Sequence, residues 1–281
     1  MSLRVYEIVK DKSINYLEKH SNDISFDEVS CKLPQGVYST FRTYEGRKKV
    51  IGLKAHLARL FTPSQALNIE AAISQIELRA ILRTLLAQNK SQEARVRISL
   101  SLTDNAGHIF IMLEDLKPLS EDLYQKGVFV LTSSNTVRET PRLKSTAFIQ
   151  QSIFERKALL TQNIYEVLMV REGKVLEGMT SNFYVVKGGE IITARYGILL
   201  GVTRRVILKL LRKSGYTIDF RPFRIAELTS IEEAFISSSS RGVVPVVTID
   251  GITVGQGVPG TVSRLLRKSY DNYIVAKAEY I

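Results

Sequence analysis

Val175-Leu176-Glu177-Gly178-Met179-Thr180-Ser181-Asn182-Phe183 carries a single carboxylate between two strand signals. Residues 167–171 precede it, closed by a Glu-Gly-Lys turn; residues 180–186, a Gly-Gly turn and residues 191–193 follow. Short β-branched runs punctuated by glycine turns predict a hairpin series. A glutamate in such a turn ordinarily faces water. Its other use is to hold a proton on a heteroaromatic nitrogen.

Outward from this stretch stands Leu199-Leu200-Gly201-Val202-Thr203-Arg204. Val206, Ile207, Leu210 and Leu211 follow at helical spacing, and Gly215 is a stop signal. Gly and Thr at a helix start offer backbone N–H groups, a hydroxyl and the positive end of the dipole, which suits a phosphate. A plain N-cap at Thr203 accounts for the same residues. Ser237 to Ser240 follow the apolar Ala234-Phe235-Ile236 and predict a loop after a strand. Upstream, Lys144 lies in Pro141-Arg142-Leu143-Lys144-Ser145-Thr146, ahead of a helical run at 149–160. Such a lysine is solvated unless burial depresses its pKa, and it would then suit Schiff-base chemistry.

The first part of the chain alternates helix and strand. Residues 53–67 and 73–88 show helical periodicity, and 94–102 (ARVRISLSL) alternate at period two. Asp104-Asn105-Ala106-Gly107 is a turn and 108–113 the return strand, together an antiparallel hairpin. The polar, proline-containing run 116–122 marks a boundary. We therefore expect an α/β (α+β) protein with an N-terminal domain at 1–117, a linker at 118–123 and a larger domain at 124–281.

Composition bounds the function. The 281 residues hold 44% hydrophobic and 24% charged side chains, which excludes a disordered or collagen-like chain. Cys31 is the single cysteine, so no intramolecular disulfide framework exists; with three histidines (His20, His56, His108) no Cys/His zinc site is expected. No apolar run reaches membrane-spanning length. The charged N-terminus lacks the apolar core of a signal peptide, and we expect a cytoplasmic location. The net charge is +11, from 39 Lys and Arg against 28 Asp and Glu. It admits a polyanionic partner, an anionic small ligand or a solvated basic surface. The basic run 204–224 carries no nucleic-acid motif, and its first half has the spacing of an amphipathic helix, so a solvated helix face is the reading adopted.

The order of these signals along the chain resembles the class IV (fold-type IV) aminotransferases, which depend on pyridoxal 5'-phosphate (PLP). Branched-chain aminotransferases, D-amino acid aminotransferases and aminodeoxychorismate lyases belong to this group. The order is His56-x-x-Arg59, Lys144-Ser145-Thr146, Glu177 with Ser181-Asn182-Phe183, Leu200 to Arg204, then Phe235 to Ser240 with Pro245. The resemblance runs from about Gly36 to Tyr273. It implies two α/β domains with the cofactor between them, and a homodimer. It implies that Lys144 is the Schiff-base lysine and that Glu177 pairs with the pyridine nitrogen. Arg59, Val202, Thr203, Ser238 and Ser239 would bind the phosphate, with His56 structural. On the substrate side it implies Tyr38 as a pocket wall, and Arg97 or Arg42 as partner of a substrate carboxylate.

Three departures from the family pattern are read as substrate-side changes. Ser39 replaces an acidic residue, Lys32-Leu33-Pro34-Gln35-Gly36 replaces a Gly-Asp-Gly approach, and Ile149 replaces a tyrosine. The leading expectation is transamination between an amino acid, branched-chain-like, and a 2-oxo acid. The alternative is 4-amino-4-deoxychorismate lyase activity, releasing pyruvate and 4-aminobenzoate. More remote is a basic binding protein on a degenerate scaffold.

Overall fold

A computed structural model describes residues 3–20, 24–88, 92–160 and 164–281. The chain divides into two units. The first is Met1–Lys117 with Leu143–Ile153 and Ala276–Ile281; the second is Pro118–Arg142 with Phe154–Val275.

In the first unit, β1 (Leu3–Ile8), β2 (Ile14–His20), α1 (Phe26–Lys32), β3 (Gly36–Arg42), β4 (Lys49–Val50), α2 (Leu53–Ala66), α3 (Gln75–Ala87), β5 (Ala94–Ser101) and β6 (Ile109–Asp115) follow in order. The main sheet is antiparallel, in the order β2-β1-β6-β5-β3. The period-two pattern decides its faces. Ala94, Val96, Ile98 and Leu100 join Val37, Phe41, Ile109, Ile111 and Leu113 in a core closed by Leu57, Leu60, Phe61, Leu78 and Leu82 of α2 and α3. Each large apolar side chain buried there contributes about 1.5–3 kcal/mol. Tyr38, Thr40 and Arg42 alternate to the other face with Arg95, Arg97 and Ser99. There α1 packs Phe26 and Val29 on Leu3, Val5 and Met112.

The expected larger domain is not one contiguous run. Tyr38 N–H donates to Lys144 O at 2.8 Å, Ser145 forms a bridge with Val37, and Gly36 N–H donates to Thr146 Oγ1 at 2.9 Å. The Lys144 segment is thus stitched to β3 and belongs to the first unit, where 124–281 was expected to carry it. Gly36 permits the β3–β5 approach, because a Cβ there would stand 2.0 Å from Leu100 O.

The second unit holds α4 (Glu121–Lys126), β7 (Val128–Ser133), β8 to β16, one long helix and most of another. Helix α5 (Thr146–Leu160) begins in the first unit. The strands are β8 (Glu166–Arg171), β9 (Lys174–Gly178), β10 (Asn182–Lys187), β11 (Glu190–Ile192), β12 (Ile218–Asp219), β13 (Phe223–Arg224), β14 (Glu233–Ser238), β15 (Gly242–Ile249) and β16 (Ile252–Thr253). They form a ten-stranded mixed sheet, β12-β11-β10-β14-β15-β7-β8-β9-β13 with β16 on β15. Helix α6 (Val202–Lys213) turns Val206, Ile207 and Leu211 inward and leaves Arg205, Arg212 and Lys213 in water, as the spacing predicts. Helix α7 (Thr261–Lys277) precedes β17 (Glu279–Tyr280), which returns to pair with β4. Among the described residues no helix is long and apolar enough to cross a membrane, and no cluster of three or more His, Cys, Asp or Glu could hold a metal.

Candidate active site

The first unit presents an amine beside an aromatic wall. Lys144 is half-buried, with Nζ 4.7 Å from the centroid of the buried Tyr38 ring. Its position comes from the β3 pairing rather than from a helix, since α5 starts two residues later. Arg59 lies on α2, one turn after His56. His56 is fully buried, with Nδ1 2.8 Å from Ser39 Oγ and its ring 5.0 Å from that of Phe41. Burial first, then the charges of Arg59 and Lys144, hold its pKa well below the usual imidazole value. His56 is therefore neutral, as a structural role requires, and it reports both cations in one electrostatic neighbourhood.

Ser39 corrects an expectation. Strand alternation turns it away from Tyr38 and toward α2, where its hydroxyl serves His56. It is a core residue, not a substrate-side one. Ile149 is likewise buried, 1% exposed. Arg97 is 4% exposed, with Cζ 4.8 Å from the Tyr38 centroid. Arg42, two residues beyond Thr40 on the same face, lies over the Tyr44 ring at 4.8 Å.

The second unit presents a buried carboxylate next to a helix start. Glu177 is 2% exposed. Its Oε1 accepts from Arg138 Nε at 3.2 Å and Leu199 N–H at 3.0 Å, and its Oε2 from Asn182 Nδ2 at 3.0 Å. All three contacts are donors, the pattern that suits a carboxylate anion. Asn182 also donates to Leu199 O at 2.8 Å, which ties β10 to the loop entering α6. Neither Arg138 nor Asn182 was assigned from the sequence. Asn182 lies in the quoted motif, but Arg138 sits in an aperiodic polar stretch that carries no signal.

Helix α6 begins at Val202 with Gly201 as its N-cap, so Thr203 is not the cap residue. Thr203 instead donates its hydroxyl to Ser239 Oγ at 3.2 Å, which brings the Gly-Val-Thr start and the serine turn together. Ser238 accepts from Arg241 Nε at 2.9 Å, and Arg241 is anchored further by Thr180 and Glu166. Arg241 too lacked a sequence signal. Free N–H groups at a helix start with paired hydroxyls form an anion cradle.

These two constellations, an amine on an aromatic wall and a buried carboxylate beside an anion cradle, define the class. The chain matches the model of the amino-transferase class IV family over residues 36–249, and it belongs to that family. Enzymes of this family use PLP. The chain is 26% identical to the D-alanine aminotransferase of Bacillus licheniformis over 276 residues, 93% of this chain and 95% of that protein. Its fold is that of the branched-chain amino acid aminotransferase of Thermoproteus uzoniensis solved with norvaline (TM-score 0.79, 21% identity, 99% and 96% of the two chains covered). It is also that of the branched-chain amino acid aminotransferase of Escherichia coli (TM-score 0.78, 19% identity, 99% and 96% covered).

Proposed function

We propose that this protein is a PLP-dependent aminotransferase that moves an amino group between an amino acid with an uncharged, branched-chain-like side chain and a 2-oxo acid. The donor set fits the cofactor: an amine for its aldehyde, a carboxylate for its ring nitrogen, and N–H and hydroxyl donors with an arginine for its phosphate. The observation that carries the reading is the Glu177 carboxylate, buried and ringed by three donors, one of which, the Leu199 N–H, lies on the loop that enters the Gly201 cradle.

When bound, PLP supplies a carbonyl that condenses with amines and a ring that takes up electrons from the substrate. Lys144 would hold the aldehyde carbon and then carry the proton at the substrate Cα through Nζ. Glu177 would hold the proton on the ring nitrogen, kept in place by Arg138, Asn182 and the Leu199 N–H. Val202 and Thr203 N–H groups, the Thr203 and Ser239 hydroxyls, Ser238 and Arg59 would bind the phosphate. Tyr38 would wall the substrate and exclude water beside Lys144. The Ser39 hydroxyl is committed to His56 and lends the lyase alternative no support.

Protein mixed with PLP is expected to show a visible absorbance band that borohydride reduction removes, and Lys144→Ala to lack it. Identical spectra for the two proteins would reject the reading. A panel of L and D amino donors with 2-oxo acids then names the substrate, and pyruvate release without an acceptor would instead identify a lyase. We further propose a homodimer. The single cysteine fits a reducing compartment, and we place the enzyme in the cytoplasm.

A further inference from the structure

The aromatic wall of the first unit carries an ion pair that the proposed reaction does not use. Arg97 stands between two rings, its Cζ 5.3 Å from the Phe26 centroid and 4.8 Å from that of Tyr38. Lys144 Nζ lies 4.7 Å from the same Tyr38 centroid. The two cationic heads are therefore no farther apart than these last two distances laid end to end. A small acid reacting at Lys144 has its far end within reach of Arg97.

A lone guanidinium at that place would attract a second carboxylate, in the planar two-point manner arginine favours. Arg97 is not alone. Its Nη1 is 2.8 Å from Asp27 Oδ1 and 2.8 Å from Ser30 Oγ, and its Nε donates to Thr40 Oγ1 at 3.1 Å. Asp27 is the second residue of α1, a helix capped by the reciprocal Ser25–Glu28 box and seated by Phe26 and Val29 on the sheet. The carboxylate is thus delivered by a fixed element. Arg95, its Cζ 4.7 Å from the Phe26 centroid, is paired with Glu114 at 2.9 Å. This part of the wall consists of two neutralised ion pairs around an aromatic ring. Arg42 lies at the end of it away from Lys144.

We propose that Asp27 is a specificity-determining residue: by neutralising Arg97 beside Tyr38 and Lys144, it sets the site for substrates with one carboxylate and against those with two. The inference rests on the reading of Lys144 as the reacting amine. A second carboxylate approaching Arg97 meets the charge of Asp27 on the same guanidinium. Repulsion between like charges a few ångströms apart in a half-dry site is worth roughly tenfold in affinity. An uncharged side chain meets the Tyr38 ring and a neutral pair, and bears no such cost.

The test is calorimetric titration of the PLP-loaded protein with glutarate and with valerate as probes. Asp27→Asn is expected to tighten glutarate about tenfold and to leave valerate within about twofold. Asp27→Glu should keep the wild-type preference, and Arg97→Gln added to Asp27→Asn should abolish the gain. Asp27→Ser replaces Asp27→Asn if the latter does not fold. The kcat/KM ratio for 2-oxoglutarate over pyruvate should move in the same direction. An unchanged glutarate-to-valerate ratio in the folded variant overturns the proposal, as does failure of every form to bind either acid. Absence of amino transfer with every acceptor would reject the aminotransferase reading, while the binding ratio would still decide the role of Asp27.

Discussion

At the scale of single residues, a buried histidine shares the electrostatic neighbourhood of the amine. His56 is buried against Phe41, bonded to Ser39 and pressed by the charges of Arg59 and Lys144. Its folded pKa lies well below the unfolded value of 6.5, so the sign of the pH effect follows. Below about pH 6.5 the unfolded chain takes up a proton that the folded chain refuses, and stability falls as pH falls, by at most about 1.4 kcal/mol per unit. Urea midpoints should drop between about pH 7.5 and 5.5, and drop less in His56→Asn; equal slopes would contradict the assignment. Lys144, Arg59 and Glu177 were singled out by the sequence because their order along the chain is distinctive. Arg138, Arg241 and Asp27 were not. An arginine or aspartate in a polar stretch has the same local appearance whether it faces water or a buried partner.

At the scale of elements, the start of α6 does more than begin a helix. Gly201 has φ −59°, which any residue adopts, so its need for glycine is spatial. A Cβ there would stand 2.3 Å from Asn182 Oδ1. The missing methyl lets Asn182 bridge Glu177 and Leu199 at the mouth of the anion cradle. Gly201→Ala should push Asn182 aside and weaken PLP binding about tenfold, with a loss of stability near 1 kcal/mol or less. Equilibrium dialysis against PLP checks this, and an unchanged Kd would show that the bridge is dispensable. The helices at 53–67, 73–88 and 202–213, and the hairpin of β5 and β6, were legible because periodicity directly encodes which face is buried. The extended segment at Lys144 was not, because its partner strand lies about a hundred residues away.

At the scale of the whole molecule, several basic side chains have a local counter-charge, and the net +11 is the excess that such pairing leaves over. Asp115 neutralises Arg47, Glu114 Arg95, Asp27 Arg97, Glu177 Arg138 and Glu121 Arg267. Other basic side chains lie on solvated faces such as that of α6. Several large apolar side chains are nonetheless exposed in the single chain, among them Ile76, Phe154 and Val275, each more than three-quarters accessible. The homodimer proposed above predicts that part of this apolar surface is covered by a second copy. Sedimentation equilibrium should therefore report twice the 31.6 kDa chain mass, and a single-chain mass at micromolar concentration would refute the homodimer.

The sequence by itself determined the cofactor chemistry expected of this chain, since amine, carboxylate and phosphate donors recur in a recognisable order that needs no coordinates. Local periodicity likewise determined most helices and the faces they bury. Only the tertiary structure decided that Lys144 is stitched to β3, that Ser39 serves the core, and that Arg97 carries a counter-charge from α1. The physical reason is that each depends on which side of a strand a residue takes and on what a distant segment places opposite it. Strand pairing and ion pairing across the fold join residues whose separation along the chain leaves no local trace.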